Sequence, residues 1–249
     1  MLCYTYEVEV YVVIDSIARK VFFTGVVTPQ RLDGSIPSTR IMKKTRKQLI
    51  AKWEKRSFSW SQYSSWDFGK KKWAEKYLFN EAFIASEVMM FGNVVGDTLG
   101  LGEKLSMVPK LEKHLCGEKE FPLEVKMNDF KLIGYADQWC PETLHLNENK
   151  TSLKADRWTQ AAVDKHDQLT MYGLILYLKF KIDPGDIKMF LNFVPTFQGT
   201  CQPISLPTPV TFKRFETKRT KMQCLAFGAK LKARRDEMRA YAQVIDIPA

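Results

Sequence analysis

The apolar and polar positions of this chain change period several times, and the changes mark its elements. Residues 5–14 and 20–27 are rich in Val, Ile, Tyr and Phe and predict a hairpin around Asp15–Arg19, followed by a loop over 29–38. Residues 41–56 carry a helical, basic pattern, and 59–90 read as helices with Trp60, Tyr63, Trp66, Trp73, Tyr77 and Phe83 near helical spacing. Gly100-Leu101-Gly102 marks a break, and 104–123 a connector with a short helix near 110–115. Strands are expected at 129–137 and 143–151, joined by a turn at Cys140-Pro141-Glu142. Residues 144–150 alternate apolar and polar, the period of a strand with two different faces. A helix over 155–180 then ends before Asp183-Pro184-Gly185-Asp186, and a strand over 187–194 ends before Pro195. Pro203, Pro207 and Pro209 keep the next segment extended, and a long helix over 214–242 closes the pattern.

Candidate chemistry sits on the middle strands. On the strand through 144–150, Glu148 and Lys150 are two apart and share a face. With Asp137 just upstream, two carboxylates and an ammonium can hold a divalent cation and a polarised water together. Mg²⁺ is satisfied by one or two carboxylates, with water and phosphate oxygens completing its octahedron. On the following helix Gln168 and Tyr172 are four apart and lie on one face, over the strand.

At these residues the chain resembles the PD-(D/E)XK nuclease superfamily and, within it, the RecB-like exonuclease domains. The likeness is carried by Gly134-Tyr135-Ala136-Asp137, by the tripeptide Glu148-Asn149-Lys150, and by Q-x-x-x-Y at Gln168 and Tyr172. Upstream, the serine- and aromatic-rich stretch from Phe58 to Trp66, with Trp73 and Tyr77, is similar to the first helix of those domains. Phe91–Asp97 is similar to the helix that carries G-x-x-x-H, but here the histidine position is Gly96. The likeness spans about residues 57–245.

The resemblance implies an α/β fold with a restriction-endonuclease-like core, a small mixed β-sheet flanked by helices. It implies Mg²⁺ or Mn²⁺ held by Asp137 and Glu148, a lysine, Lys150, that orients or deprotonates water, and Gln168 and Tyr172 positioning the strand or the lysine. With the histidine replaced, Glu87 is the expected third ligand and Asp97 the alternative. The implied activity is a DNA exonuclease on single strands or ends, in replication, recombination or repair, of phage, viral or mobile-element type. A weakened single-stranded nucleic-acid-binding protein and a structure-specific endonuclease are the alternatives. The likeness places the nuclease domain over 41–249 and leaves 1–40 as an N-terminal appendage, or as a stretch preceding a start at Met42.

Charge supports an anionic partner. The formal net charge is +10, and the excess clusters at Arg40–Arg56, at Lys70, Lys71, Lys72 and Lys76, and from Lys213 to Arg239. The expected nucleic-acid contacts are Lys70, Lys71, Lys72, Trp73, Ser152, Lys218 and Arg219, with Trp73 as the stacking ring beside three lysines. The three histidines are expected to be bland: His114 at the surface, His145 facing away from the carboxylates, and His166 on the helix surface. The five cysteines, Cys3, Cys116, Cys140, Cys201 and Cys224, lack cluster-ligand spacing, so no iron–sulfur centre is expected. No G-x-x-x-x-G-K-[ST] motif is present. No run approaches the ~18 to 20 apolar residues of a membrane span, and no signal-like start is seen. Residence in a cytoplasm, the host's for a viral protein, is the expectation.

Overall fold

The computed structural model describes residues 4–15, 20–31, 45–81, 85–101, 109–200, 204–207 and 209–246. Strands β1 (Tyr4–Asp15) and β2 (Lys20–Arg31) form a two-stranded antiparallel sheet of their own. The second strand continues through Pro29–Arg31, where a loop was expected, and the hairpin turn itself lies outside the described residues.

The main sheet has six strands in mixed orientation. Its order is β3 (Phe58–Ser59), β5 (Lys131–Cys140), β6 (His145–Ser152), β7 (Lys188–Pro195), β8 (Lys213–Thr217), with β4 (Glu118–Lys126) on the other edge of β5. Along one edge β5 pairs with β4 for most of its length. Along the other it pairs in parallel with β3 at Leu132 and Ile133, and antiparallel with β6 at Gln138–Cys140. Between those two contacts, Gly134–Asp137 has no strand partner on that edge among the described residues, and this gap is where the site forms. The β6–β7 pair is parallel and in register through Glu148↔Leu191 and Lys150↔Phe193.

Helices flank the sheet. Those on the main-core side are α1 (Arg46–Glu54), α2 (Trp60–Phe68), α3 (Lys70–Trp73) with a π-helical continuation Ala74–Phe79, α6 (Gln160–Asp164), α7 (Asp167–Phe180) and α8 (Lys221–Val244). Helices α1 and α8 open on capping boxes, Thr45 with Gln48 and Thr220 with Gln223, each satisfying two backbone donors that a helix start leaves free. Helix α7 is buried from Gln168 through Leu176, because it lies between β4–β5 on one side and α8 on the other. A second, smaller apolar cluster joins α4 (Glu87–Leu101) and α5 (Pro109–Glu112) to Val194, Ile204 and Leu206.

Four expectations are corrected. Glu118–Lys126 is a strand, not part of a connector; Pro122 is tolerated because β4 is a sheet edge. Lys213–Thr217 is also a strand, and the last helix starts only at Lys221, after its capping box. The helix expected over 155–180 is two helices broken at Lys165 and His166. Helix α4 runs through Gly100 to Leu101, and Gly102 lies outside the described residues. Among the described residues no helix is long and apolar enough to cross a membrane.

Candidate active site

Asp137, Glu148 and Lys150 meet where β5 and β6 part. After the Gln138↔Asn147 pair the strands diverge, and the Asp137 side chain turns into the gap. Its Oδ2 accepts the Asn149 backbone N–H, taking the place of a ladder bond. Glu148 is 3 % exposed, and its Oε1 accepts bonds from Lys150 Nζ and from Gln168 Nε2, the latter at 2.7 Å. Gln168 Nε2 also lies 2.7 Å from Tyr172 Oη, which donates to the Tyr135 carbonyl at 2.6 Å. Lys150, Glu148, Gln168, Tyr172 and the Tyr135 carbonyl therefore form one connected network spanning β5, β6 and α7, with Asp137 beside it on the Asn149 peptide.

Two glycines permit the close packing. A Cβ on Gly134 would fall 2.6 Å from the Tyr172 ring, so the β5 backbone can lie against that ring only without a side chain. A Cβ on Gly92 would fall 2.7 Å from Thr151 Oγ1, which seats α4 directly on the end of β6. Beside Gly92 lies a cleft of about 550 Å³ lined by Met89, Gly92, Asn93, Gly96, Glu120, Asp137, Glu148 and Lys150, among others.

The electrostatics are those of a site short of positive charge. Burial, and then the Glu148 charge, push Asp137 up to about 7. Burial also raises Glu148, against the pull of Lys150. Burial works to lower Lys150, but the Glu148 and Asp137 charges outweigh it and hold the ammonium above its ordinary value. Glu148 Oε2 is buried with no hydrogen-bond partner. Two desolvated carboxylates that line one cleft, one of them with a buried unmatched oxygen, fit a hard divalent cation. Asp137 and Glu148 would be its protein ligands. Among the described residues no three His, Cys, Asp or Glu side chains are gathered tightly enough to hold an ion alone.

The other expected site residues fall elsewhere. Glu87, expected as third ligand, is exposed at the start of α4 and does not line the cleft; the side chain of Asp97 lies outside the described residues. Gly96, at the expected histidine position, does line it, and a Cβ there would meet nothing within 4 Å. Glu120 on β4 also lines it. It was missed because its strand was not recognised.

Trp73 is corrected from a stacking residue to a core residue: it is 0 % exposed, edge-on to Trp53 and Trp66. Arg219 is corrected likewise. It is 3 % exposed and donates to Thr170, Thr217 and the carbonyls of Val163, His166 and Lys218, tying the end of β8 to α6 and α7. Lys70, Lys71, Lys72 and Lys218 are exposed, and Lys70 Nζ sits 5.2 Å from the Trp66 ring centroid. Ser152 Oγ accepts the Lys154 N–H at the end of β6. The exposed ring of this region is Phe68, 78 % accessible, in a groove with Ser61, Ser64, Ser65, Lys72, Lys76 and the carboxylates Glu75 and Glu81. Met89 lines both this groove and the cleft.

His166, expected on a solvated surface, is wedged against Trp158 (centroids 4.7 Å) and Trp60 (5.6 Å). Burial, and then the nearby Lys150 charge, hold it down at about 3. The folded protein therefore binds fewer protons here than the unfolded chain between about pH 3 and 6.5, and stability falls as pH drops through that window. Replacing His166 with Phe should remove this acid sensitivity. Urea midpoints of the two proteins should diverge by an amount equivalent to about 1–2 kcal/mol between pH 8 and pH 5, and parallel midpoints would refute it.

No family model matches the sequence, and no curated protein matches it. Among solved structures, the fold is similar to that of a candidate exonuclease from Eubacterium rectale, with a TM-score of 0.50 at 11 % identity, over 84 % of this chain and 88 % of that one. A phage-related exonuclease from Haemophilus somnus 129PT gives 0.46 at 16 % identity over 73 % and 82 %. An alkaline exonuclease from Laribacter hongkongensis gives 0.43 at 12 % over 79 % and 94 %. At these identities the first likeness shows the fold.

Proposed function

We propose that this chain is a divalent-cation-dependent DNA nuclease of the PD-(D/E)XK type that acts as an exonuclease on single strands or ends. The observation that carries the reading is the convergence of Asp137, Glu148 and Lys150 on one cleft, with a buried carboxylate oxygen of Glu148 left unmatched. Mg²⁺ or Mn²⁺ bound there would lower the pKa of the attacking water and offset charge on the phosphate. Lys150, charged and held by Glu148, presents its ammonium to the phosphate and orients the water. Gln168 and Tyr172 fix the Glu148 carboxylate and the Tyr135 peptide, so β5 and β6 keep their separation. The likeness to exonuclease folds agrees with this reading.

The test is cleavage of end-labelled single-stranded DNA, duplex DNA and RNA with Mg²⁺, with Mn²⁺ and with chelator. Mononucleotide release from single strands or ends, only with the cation, is expected. Binding without cleavage under every condition would instead favour the weakened binder, for which Gly96 in place of histidine is the motive. Internal cuts confined to structured duplexes would favour the endonuclease.

The groove beside Phe68 supplies the strand contact that Trp73 cannot. An exposed ring beside serine hydroxyls suits a stacked base, while the groove's two lysines are matched by Glu75 and Glu81. Phe68→Ala should weaken binding of a single-stranded oligonucleotide at least ~5-fold, from about 1 kcal/mol or more per stacked base. Fluorescence anisotropy on a cleavage-dead background would read this, and an unchanged affinity would remove Phe68 from the interface.

A further inference from the structure

We infer that Glu120, on the edge strand β4, is the third carboxylate of the divalent-cation site and reaches the cation through a bound water. This rests on the cation-dependent reading above. The β4–β5 register pairs Lys119 with Gln138 and Phe121 with Ala136, which brackets Glu120 and Asp137 between two paired positions without pairing them in the ladder. Glu120 lines the same cleft as Asp137, Glu148 and Lys150. Glu120 is exposed, so its carboxylate stands at the solvent side of that cleft, where a hydrated cation enters. The Glu148 Oε2 atom is buried and unmatched, and Glu148 lines the same cleft.

Glu120 has φ +48°, a left-handed conformation that a non-glycine residue adopts at a cost. Glycine would be the unstrained choice at this backbone conformation. Three carboxylates are not gathered at direct-ligation distance. Mg²⁺ and Mn²⁺ commonly keep several waters, and a carboxylate one water away still anchors and orients the coordination shell. Glu87, exposed outside the cleft, has no such position.

Mn²⁺ titration of the purified, chelator-stripped protein, followed by the electron paramagnetic resonance signal of free Mn²⁺, tests this without reference to activity. Glu120→Gly removes the carboxylate and relieves the backbone, so its metal-free melting temperature should hold or rise. Its Mn²⁺ Kd should increase about 10-fold or more. Glu120→Gln should show the same loss, Glu120→Asp should recover most of the affinity, and Glu87→Gln should match the parent. Unchanged affinity in both Glu120→Gly and Glu120→Gln would overturn the inference while leaving the site intact, provided Asp137→Asn and Glu148→Gln still lose Mn²⁺. If those two also bind Mn²⁺ like the parent, the cation reading of the whole site falls.

Discussion

Glu148→Gln should lower cleavage by about 10³-fold or more while leaving the protein folded. The substitution keeps size and shape at a position that is 3 % exposed. In the native protein burial raises the Glu148 carboxyl, so the charge is tolerated for function rather than for stability. Gln at this position retains an oxygen for the Gln168 donor, so the β6–α7 contact survives. The losses are the cation ligand and the anion that pairs with Lys150. Melting temperatures without metal should therefore match or exceed those of the parent, while product release at saturating Mg²⁺ disappears. Near-parental rates at saturating Mg²⁺ would sink the assignment of the site. A collapse of the melting temperature would instead show that Glu148 is primarily a structural residue.

Trp73→Ala should have the largest effect on stability, about 3–5 kcal/mol of unfolding free energy. Trp73 is fully buried and contacts Trp53 at 5.3 Å and Trp66 at 5.1 Å between ring centroids, both edge-on. Removing the ring leaves a cavity where α1, α2 and α3 meet. The indole N–H is buried without a partner, so Trp73→Phe gives up no hydrogen bond and should cost far less. Urea unfolding measures both. Oligonucleotide affinity of the folded fraction should not change in either variant. A variant that kept its stability but lost DNA affinity would restore Trp73 to the interface.

The legible parts of the site are those whose geometry is local. Glu148 and Lys150 share a strand face because they are two apart, and Gln168 and Tyr172 share a helix face because they are four apart. The structure shows both pairs in contact. The edge strand β4 was illegible because Glu118-Lys119-Glu120-Phe121-Pro122 carries three charges and a proline, which argue against a strand in isolation. It is held by the ladder to β5, a partner its own pattern does not announce. The short strand β8 reads as the start of a basic helix for a similar reason. Only its pairing with β7 makes it a strand.

The sequence by itself determined the order of the elements through the motif, the candidate trio on β5 and β6, and the helix that covers them, because period and spacing are set within a few residues. Tertiary structure alone decided which charged and aromatic side chains are inside. Arg219 and Lys218 are adjacent, yet Arg219 is buried under five hydrogen-bond acceptors and Lys218 is exposed. Trp73 follows three exposed lysines and is itself core. Tertiary structure also brought Glu120 and Asp137 to one cleft and left Glu87 outside it. Burial and cross-strand adjacency depend on which distant segment packs against a residue, and a pattern read over one or two turns of chain carries no record of that partner.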